Sequence, residues 1–120
     1  MTTVAVGKAG EDEAVRFLQK KGYKILERNY RSRYGEIDII AKDGSAIVFV
    51  EVKTRGGAAF GPPGASVDER KQRKMTITSS FYLESVGATD TESRFDVVCI
   101  EMKNGRPEIE LIMNAFEARE

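Results

Sequence analysis

The sequence predicts an α/β fold, a mixed central β-sheet flanked by helices, with elements in the order α-β-β-β-α-β-β. Three observations carry this. Two Ile- and Val-rich segments meet at Asp43-Gly44, two more strand-like segments meet at Asn104-Gly105, and a helix-favouring stretch precedes each set. Asp-Gly and Asn-Gly tolerate the positive φ that tight hairpin turns need, so each marks a pair of antiparallel strands. A chain of 120 residues buries roughly two-thirds of its unfolded surface on folding, so one domain spanning residues 1–120 is expected.

The first helix is expected from Lys8 to Lys21, with acids Glu11, Asp12 and Glu13 early, Lys20 and Lys21 late, and Gly22 just past the end. Ala14, Val15 and Leu18 form its apolar stripe, and Glu11 shares that inward face. A carboxylate there needs a partner or a task. Strands are expected at Tyr23–Tyr30, Glu36–Ala41 and Ala46–Thr54, then a loop at Gly56–Gly64 containing Pro62-Pro63. A second helix follows over Val67–Val86, capped by Ser66 or Asp68, although Thr76-Ile77-Thr78 weakens its middle. Strands at Arg94–Met102 and Glu108–Met113 complete the sheet.

Composition excludes several chemistries. The chain has no histidine, which removes Ser-His triads, His-ligated zinc and any histidine base. Cys99, in the apolar run Val97-Val98-Cys99-Ile100, is the single cysteine and reads as core. No apolar run approaches the ~20 residues that span a bilayer, and the first residues lack signal-peptide character, so a cytoplasmic protein with no membrane partner is expected. Hydrolytic chemistry would have to run on carboxylates, lysine and a hard metal ion. Net charge is zero, but between Arg16 and Arg33 seven basic residues face one acid, Glu27, and residues 70–74 hold four more. Such clusters serve either as a solvated helix surface or as a phosphate-binding face.

The first hairpin holds the chemistry. With Asp43-Gly44 as a two-residue loop, Ile40 pairs with Ile47, Asp38 with Phe49 and Glu36 with Glu51. Asp38, Glu51 and Lys53 then share one face, with Asp38 and Glu51 diagonal neighbours. Ile37, Ile39, Ala41, Val48, Val50 and Val52 form an apolar layer on the other. A three-residue loop would reverse this parity. Two converging carboxylates repel unless one is protonated or a cation lies between them, and Mg²⁺ or Mn²⁺ suits oxygen ligands. Lys53 could then orient water or stabilise charge on a phosphate; alternatively it pairs with Glu51 or Glu36 across an exposed sheet face.

Asp38 followed by Glu51-Val52-Lys53 resembles the D…(D/E)-x-K signature of the PD-(D/E)XK nuclease superfamily, and the preceding helix with Glu11 is similar to that of archaeal Holliday junction resolvases. A closer resemblance, over residues 7 to 113, is to the bacterial YraN-type proteins, an uncharacterised, endonuclease-like family. It is carried by Gly22-Tyr23, Leu26-Glu27-Arg28-Asn29-Tyr30, Gly35-Glu36-Ile37-Asp38, Val48-Phe49-Val50-Glu51-Val52-Lys53-Thr54-Arg55, Lys71-Gln72 and Arg94-Phe95-Asp96-Val97-Val98. The superfamily's Pro is replaced by Ile37, and Gln72 is followed four residues later by Thr76 rather than the Tyr of some branches.

The resemblance implies a restriction-endonuclease-like fold and a metal-dependent DNA endonuclease, possible substrates being branched or Holliday-junction DNA. It implies Mg²⁺ or Mn²⁺ held by Asp38, Glu51 and the Val52 carbonyl, with Glu11 in the site or just outside it, and Lys53 as the catalytic lysine. A resolvase-like protein would act as a homodimer. Arg31, Arg33, Arg55, Lys71 and Lys74 flank the site or cluster on the second helix and are candidates for phosphate contacts; their other reading is solubility. Tyr30, Tyr34 and Phe60 are candidates for base stacking or for packing. Asp96 is expected to brace the sheet through Arg94 or a backbone donor. Two alternatives to the enzyme stay open: a nucleic-acid-binding module and a partner-binding scaffold, each keeping the fold without cleavage.

Overall fold

The structure, a computed structural model, describes residues 3–55 and 67–119, the side chains of residues 3–7 and 55 excepted. The chain runs through α1 (Thr3–Lys20), β1 (Lys24–Ser32), β2 (Gly35–Asp43), β3 (Ala46–Arg55), α2 (Glu69–Ser85), β4 (Ser93–Lys103) and β5 (Arg106–Phe116), the order expected. One five-stranded sheet has the order β1-β2-β3-β4-β5. Only β3 and β4 are parallel, because α2 carries the chain back between them. The expected loop with Pro62-Pro63, Phe60 and the Ser66 cap lie outside the described residues. Among the described residues, no helix is long and apolar enough to cross a membrane.

Local chemistry sets the element ends. α1 begins at Thr3, earlier than expected; Thr3, Val4, Val6 and Gly7 have low helix propensity, so the residues alone do not mark this first stretch as helix. It stops where Gly22 takes φ +94°, Tyr23 N–H reaching Leu18 O and Gly22 N–H reaching Gln19 O, both at 3.0 Å. Asp68 caps α2 by accepting Lys71 N–H at 2.8 Å. At the second hairpin Asn104 and Gly105 both have positive φ, as a type I′ turn requires, and Lys103 pairs with Arg106.

The first hairpin differs from expectation in register. Asp43 pairs with Ala46, so the loop is Gly44-Ser45 and every pair slides by two residues: Ile40 faces Phe49 and Ile39 faces Val50. Gly44, with φ +61°, supplies the positive φ at the first loop position, while Asp43 stays in the strand and binds Arg94 Nη2 at 2.7 Å. A slide of two preserves which side chains share a face. The paired ladder ends at Ile39–Val50, so Asp38 and Glu51 lie just past it, where the Asp38 side chain takes over from strand pairing.

Both faces of the sheet are covered. On the α1 side Ile39, Ala41, Val48, Val50, Val98 and Ile100 pack with Ala14, Leu18 and Tyr23. On the α2 side Ile40, Ile47, Phe49, Phe95 and Val97 pack with Met75 and Tyr82. Ile37, expected in the first layer, belongs to the second. The start of β2 lies tight against α2, where a Cβ on Gly35 would stand 3.3 Å from Lys74 Cβ. The face that carries Asp38 and Glu51 is therefore apolar along most of its length, not a charged, half-open surface.

Candidate functional site

Beyond Ile40 and Phe49 the α2-side face changes character. The next residues outward are Asp38 and Glu51, and the described pairing of β2 with β3 ends just before them, at Ile39–Val50. There the Asp38 carboxylate accepts Val52 N–H at 2.8 Å, doing with a side chain what a backbone carbonyl does elsewhere in the ladder. Glu51 is 5% exposed. Lys71 Nζ, reaching down from the first turn of α2, stands 3.3 Å from Glu51 Oε2. That approach lacks hydrogen-bond geometry, so Oε2 is the one buried side-chain oxygen among the described residues without a donor.

Electrostatics follow from this crowding. Burial first, then the adjacent Glu51 carboxyl, raise the Asp38 carboxyl to about 7, with the Val52 N–H and Lys71 opposing the rise. Two carboxyls held this close repel each other when both are charged. At neutral pH the pair thus sits near the point where it either keeps a proton or takes a cation in its place.

Glu11 approaches from the α1 side. Gly10 makes this possible, since a Cβ there would collide with the Thr54 hydroxyl of β3. The Glu11 side chain is 12% exposed. It accepts from Arg28 Nε at 3.2 Å and Asn29 Nδ2 at 3.0 Å, and burial raises its carboxyl despite those donors. The partner that an inward carboxylate demands is therefore Arg28 with Asn29. Asn29, at φ +53° inside β1, takes the left-handed conformation that Asn tolerates better than most residues. Among the described residues no three Asp, Glu or Cys side chains converge closely enough to hold one ion. Asp38 and Glu51 are the two that could.

Lys53 lies opposite Cys99 in the parallel ladder and is half-buried. Glu51 is met by Lys71 and Glu36 by Arg31, at 3.7 Å, so the cross-face pairing open for Lys53 does not form. Among the described residues Lys53 has no ion-pair partner. Arg31 is exposed, Arg33 lies over the Tyr34 ring at 5.7 Å, and Lys74 is exposed beside Gly35. The Arg55 side chain lies outside the described residues. Of the four basic candidates whose side chains are described, only Lys71 reaches the carboxylate pair. Tyr30 packs edge-on against Tyr82 at 5.3 Å, whereas Tyr34 stacks on Phe81 at the surface.

Asp96 braces the sheet as expected, but through a larger network. Fully buried, it accepts from Tyr23 Oη at 3.1 Å, Arg94 Nε at 3.0 Å and Asn114 N–H at 3.0 Å. Burial, with the Asp96 charge, pushes the Tyr23 phenol up to about 12, keeping it a donor. Asp43, read from sequence as a turn residue, closes the network through Arg94. Arg28 and Asn29 also escaped the sequence reading; an Asn inside a predicted strand was the available signal.

The model of a family described as Uncharacterised protein family UPF0102 matches residues 10–100, a stretch that includes Glu11, Asp38, Glu51, Lys53 and Lys71. A UPF0102 protein of Symbiobacterium thermophilum is 50% identical over 114 residues, covering 94% of this chain and 97% of that one. One from Syntrophus aciditrophicus is 49% identical over 92% of this chain and 87% of its own. One from Rhodococcus jostii is 45% identical, with 94% and 97% covered. Taken with the matched span, these full-length similarities make the chain a member of the UPF0102 family.

Proposed function

We propose that this protein is a divalent-cation-dependent phosphodiesterase acting on DNA, a nuclease of the PD-(D/E)XK type. The observation that carries the reading is the Asp38–Glu51 pair: two adjacent carboxyls, one raised well above its ordinary value, with a buried Glu51 oxygen that has no hydrogen-bond donor among the described residues. An apolar setting does not keep such a pair for stability, since the charged forms repel and lose solvation. It fits a hard cation, and all the donors on offer are oxygens.

Asp38, Glu51 and the Val52 carbonyl would hold Mg²⁺ or Mn²⁺, with Glu11 in outer support through its Arg28 and Asn29 contacts. When bound, such an ion polarises a phosphoryl oxygen and makes water acidic enough to attack phosphorus. The chain's own residues do the rest. Val52 N–H fixes the Asp38 carboxylate, so the site keeps its shape before ligand arrives. Lys53, with no ion-pair partner among the described residues, offers its ammonium to charge growing on the phosphate. Lys71 neutralises Glu51 until substrate comes and can then turn to a phosphate oxygen, its side chain being more than a third exposed. The buried apolar layer under Asp38 and Glu51 keeps the local dielectric low, which strengthens each contact.

The test is to incubate the protein with fluorescent linear, flapped and four-way DNA in Mg²⁺, Mn²⁺ or EDTA, beside Asp38→Asn and Lys53→Ala. Cleavage that needs metal and falls by about 10²-fold or more in either variant is expected. Wild-type cleavage no greater than that of the variants sinks the enzyme reading. Salt-sensitive binding without cleavage would then leave a nucleic-acid-binding module.

A further inference from the structure

We propose that Tyr34 and Phe81 form a stacking platform for an unpaired base, so that the ligand includes single-stranded nucleic acid next to the carboxylate pair; this rests on the nuclease reading for its phosphodiester chemistry. Tyr34, in the turn between β1 and β2, is 44% exposed and Phe81, on the outer side of α2, is 42% exposed. Their rings are stacked, with centroids 5.7 Å apart and planes 7° from parallel. Ile77, one turn earlier on α2, is 40% exposed and extends the apolar surface. Two large rings open to water in this way lose free energy as free surface.

The platform is built firmly. Gly35 lets the β1–β2 turn approach α2, Ser32 Oγ and Thr78 Oγ1 share a hydrogen bond of 2.9 Å, and Tyr34 N–H donates to Ser32 Oγ at 3.1 Å. Tyr34 is therefore delivered to Phe81 by a fixed turn. Arg33 carries its guanidinium to the Tyr34 ring, adding a cation to the platform.

The rim selects the occupant. Arg33 and Lys74 are exposed beside the ring pair, Arg73 is exposed further along α2 within 4.0 Å of Glu69, and Glu84 is an exposed acid one turn beyond Phe81. A second copy meeting this face about a two-fold axis would oppose basic rim to basic rim. Three side chains also fall far short of the ~800 Å² per partner of a stable interface. A strand of nucleic acid satisfies both halves of the surface, bases on the rings and phosphates on the rim. The same helix places Lys71, at the carboxylates, ~15 Å of helix rise from Phe81, a span of a few nucleotides.

The experiment is a titration in EDTA of a 20-nucleotide single strand carrying 2-aminopurine, and of a blunt duplex, with wild type, Tyr34→Ala, Phe81→Ala, Phe81→Leu and Lys74→Ala. Expected are 2-aminopurine quenching by wild type and single-strand affinity weakened about fivefold or more by Phe81→Ala and Tyr34→Ala, the low end of one stacked base. Phe81→Leu keeps an apolar side chain and should lose the quenching alike, and Lys74→Ala should weaken strand and duplex together. Wild-type quenching with no metal-dependent cleavage of any DNA would uphold the platform and remove only the hydrolytic reading. Unchanged single-strand affinity in both folded ring variants overturns it, as does a wild-type dimer in sedimentation that Phe81→Leu dissociates.

Discussion

Replacing Asp38 by Asn should make the protein more stable at neutral pH while abolishing its response to metal. The Asp38 carboxyl lies at about 7 in the folded chain against 3.8 in a model peptide, so the folded state holds more protons than the unfolded state between those values. Stability from this group is complete below pH ~4, falls as pH rises through the window, and is fully lost above ~7. Roughly three units at 1.36 kcal/mol each set a ceiling of about 4 kcal/mol, and sharing the proton with Glu51 lowers it to about 2–4. Asn stays neutral throughout, keeps an oxygen for Val52 N–H, and offers Glu51 an N–H where the shared proton was. Thermal unfolding of both proteins from pH 4 to 8.5 is the assay. The variant's advantage should be near zero at pH 4 and reach roughly 8–15 °C at pH 8. A difference that does not change with pH, or a variant less stable at pH 8, would refute the reasoning.

Other parts of the molecule should respond differently. Asp96→Asn leaves Arg94 facing a neutral group inside a buried network and should cost about 3–5 kcal/mol, read as a fall in denaturation midpoint at unchanged slope; a loss under 1 kcal/mol would show that Asp43 suffices. Lys71→Met removes the ammonium beside Glu51 Oε2, so Mn²⁺ at pH 8.5 should bind at least as tightly as to wild type. Weaker binding, measured by calorimetry, would make Lys71 an organiser of the site and not a stand-in for the cation.

Much of this was legible in the residues, for reasons that differ by element. Gly22 and Asn104-Gly105 announce their turns because positive φ leaves few residue choices. From Ile39 and Val50 to the turn the hairpin faces came out correctly although the register did not: Asp43-Gly44 and Gly44-Ser45 are both good loops, and the one-residue step between them slides every strand pair by two, which leaves parity intact. What decided between them was Arg94, fifty-one residues away, holding Asp43 in the strand. Ile37 leaves its expected layer just past the point where β2–β3 pairing stops, at Ile39–Val50, a break that no local pattern encodes. Lys71 reads from sequence as one of five candidates for phosphate contacts, with nothing to set it apart, because sequence shows charge but not reach. Its contact with a buried Glu51 depends on where α2 crosses the sheet.

The central claim is that Asp38 and Glu51 exchange a shared proton for a divalent cation. Calorimetric titration with Mn²⁺ in two buffers of different ionisation enthalpy measures this directly. About one proton should leave per ion bound at pH 6.5, falling toward none at pH 8.5, with binding abolished in Glu51→Gln. No binding, or binding without proton release that survives both Asp38→Asn and Glu51→Gln, would contradict it.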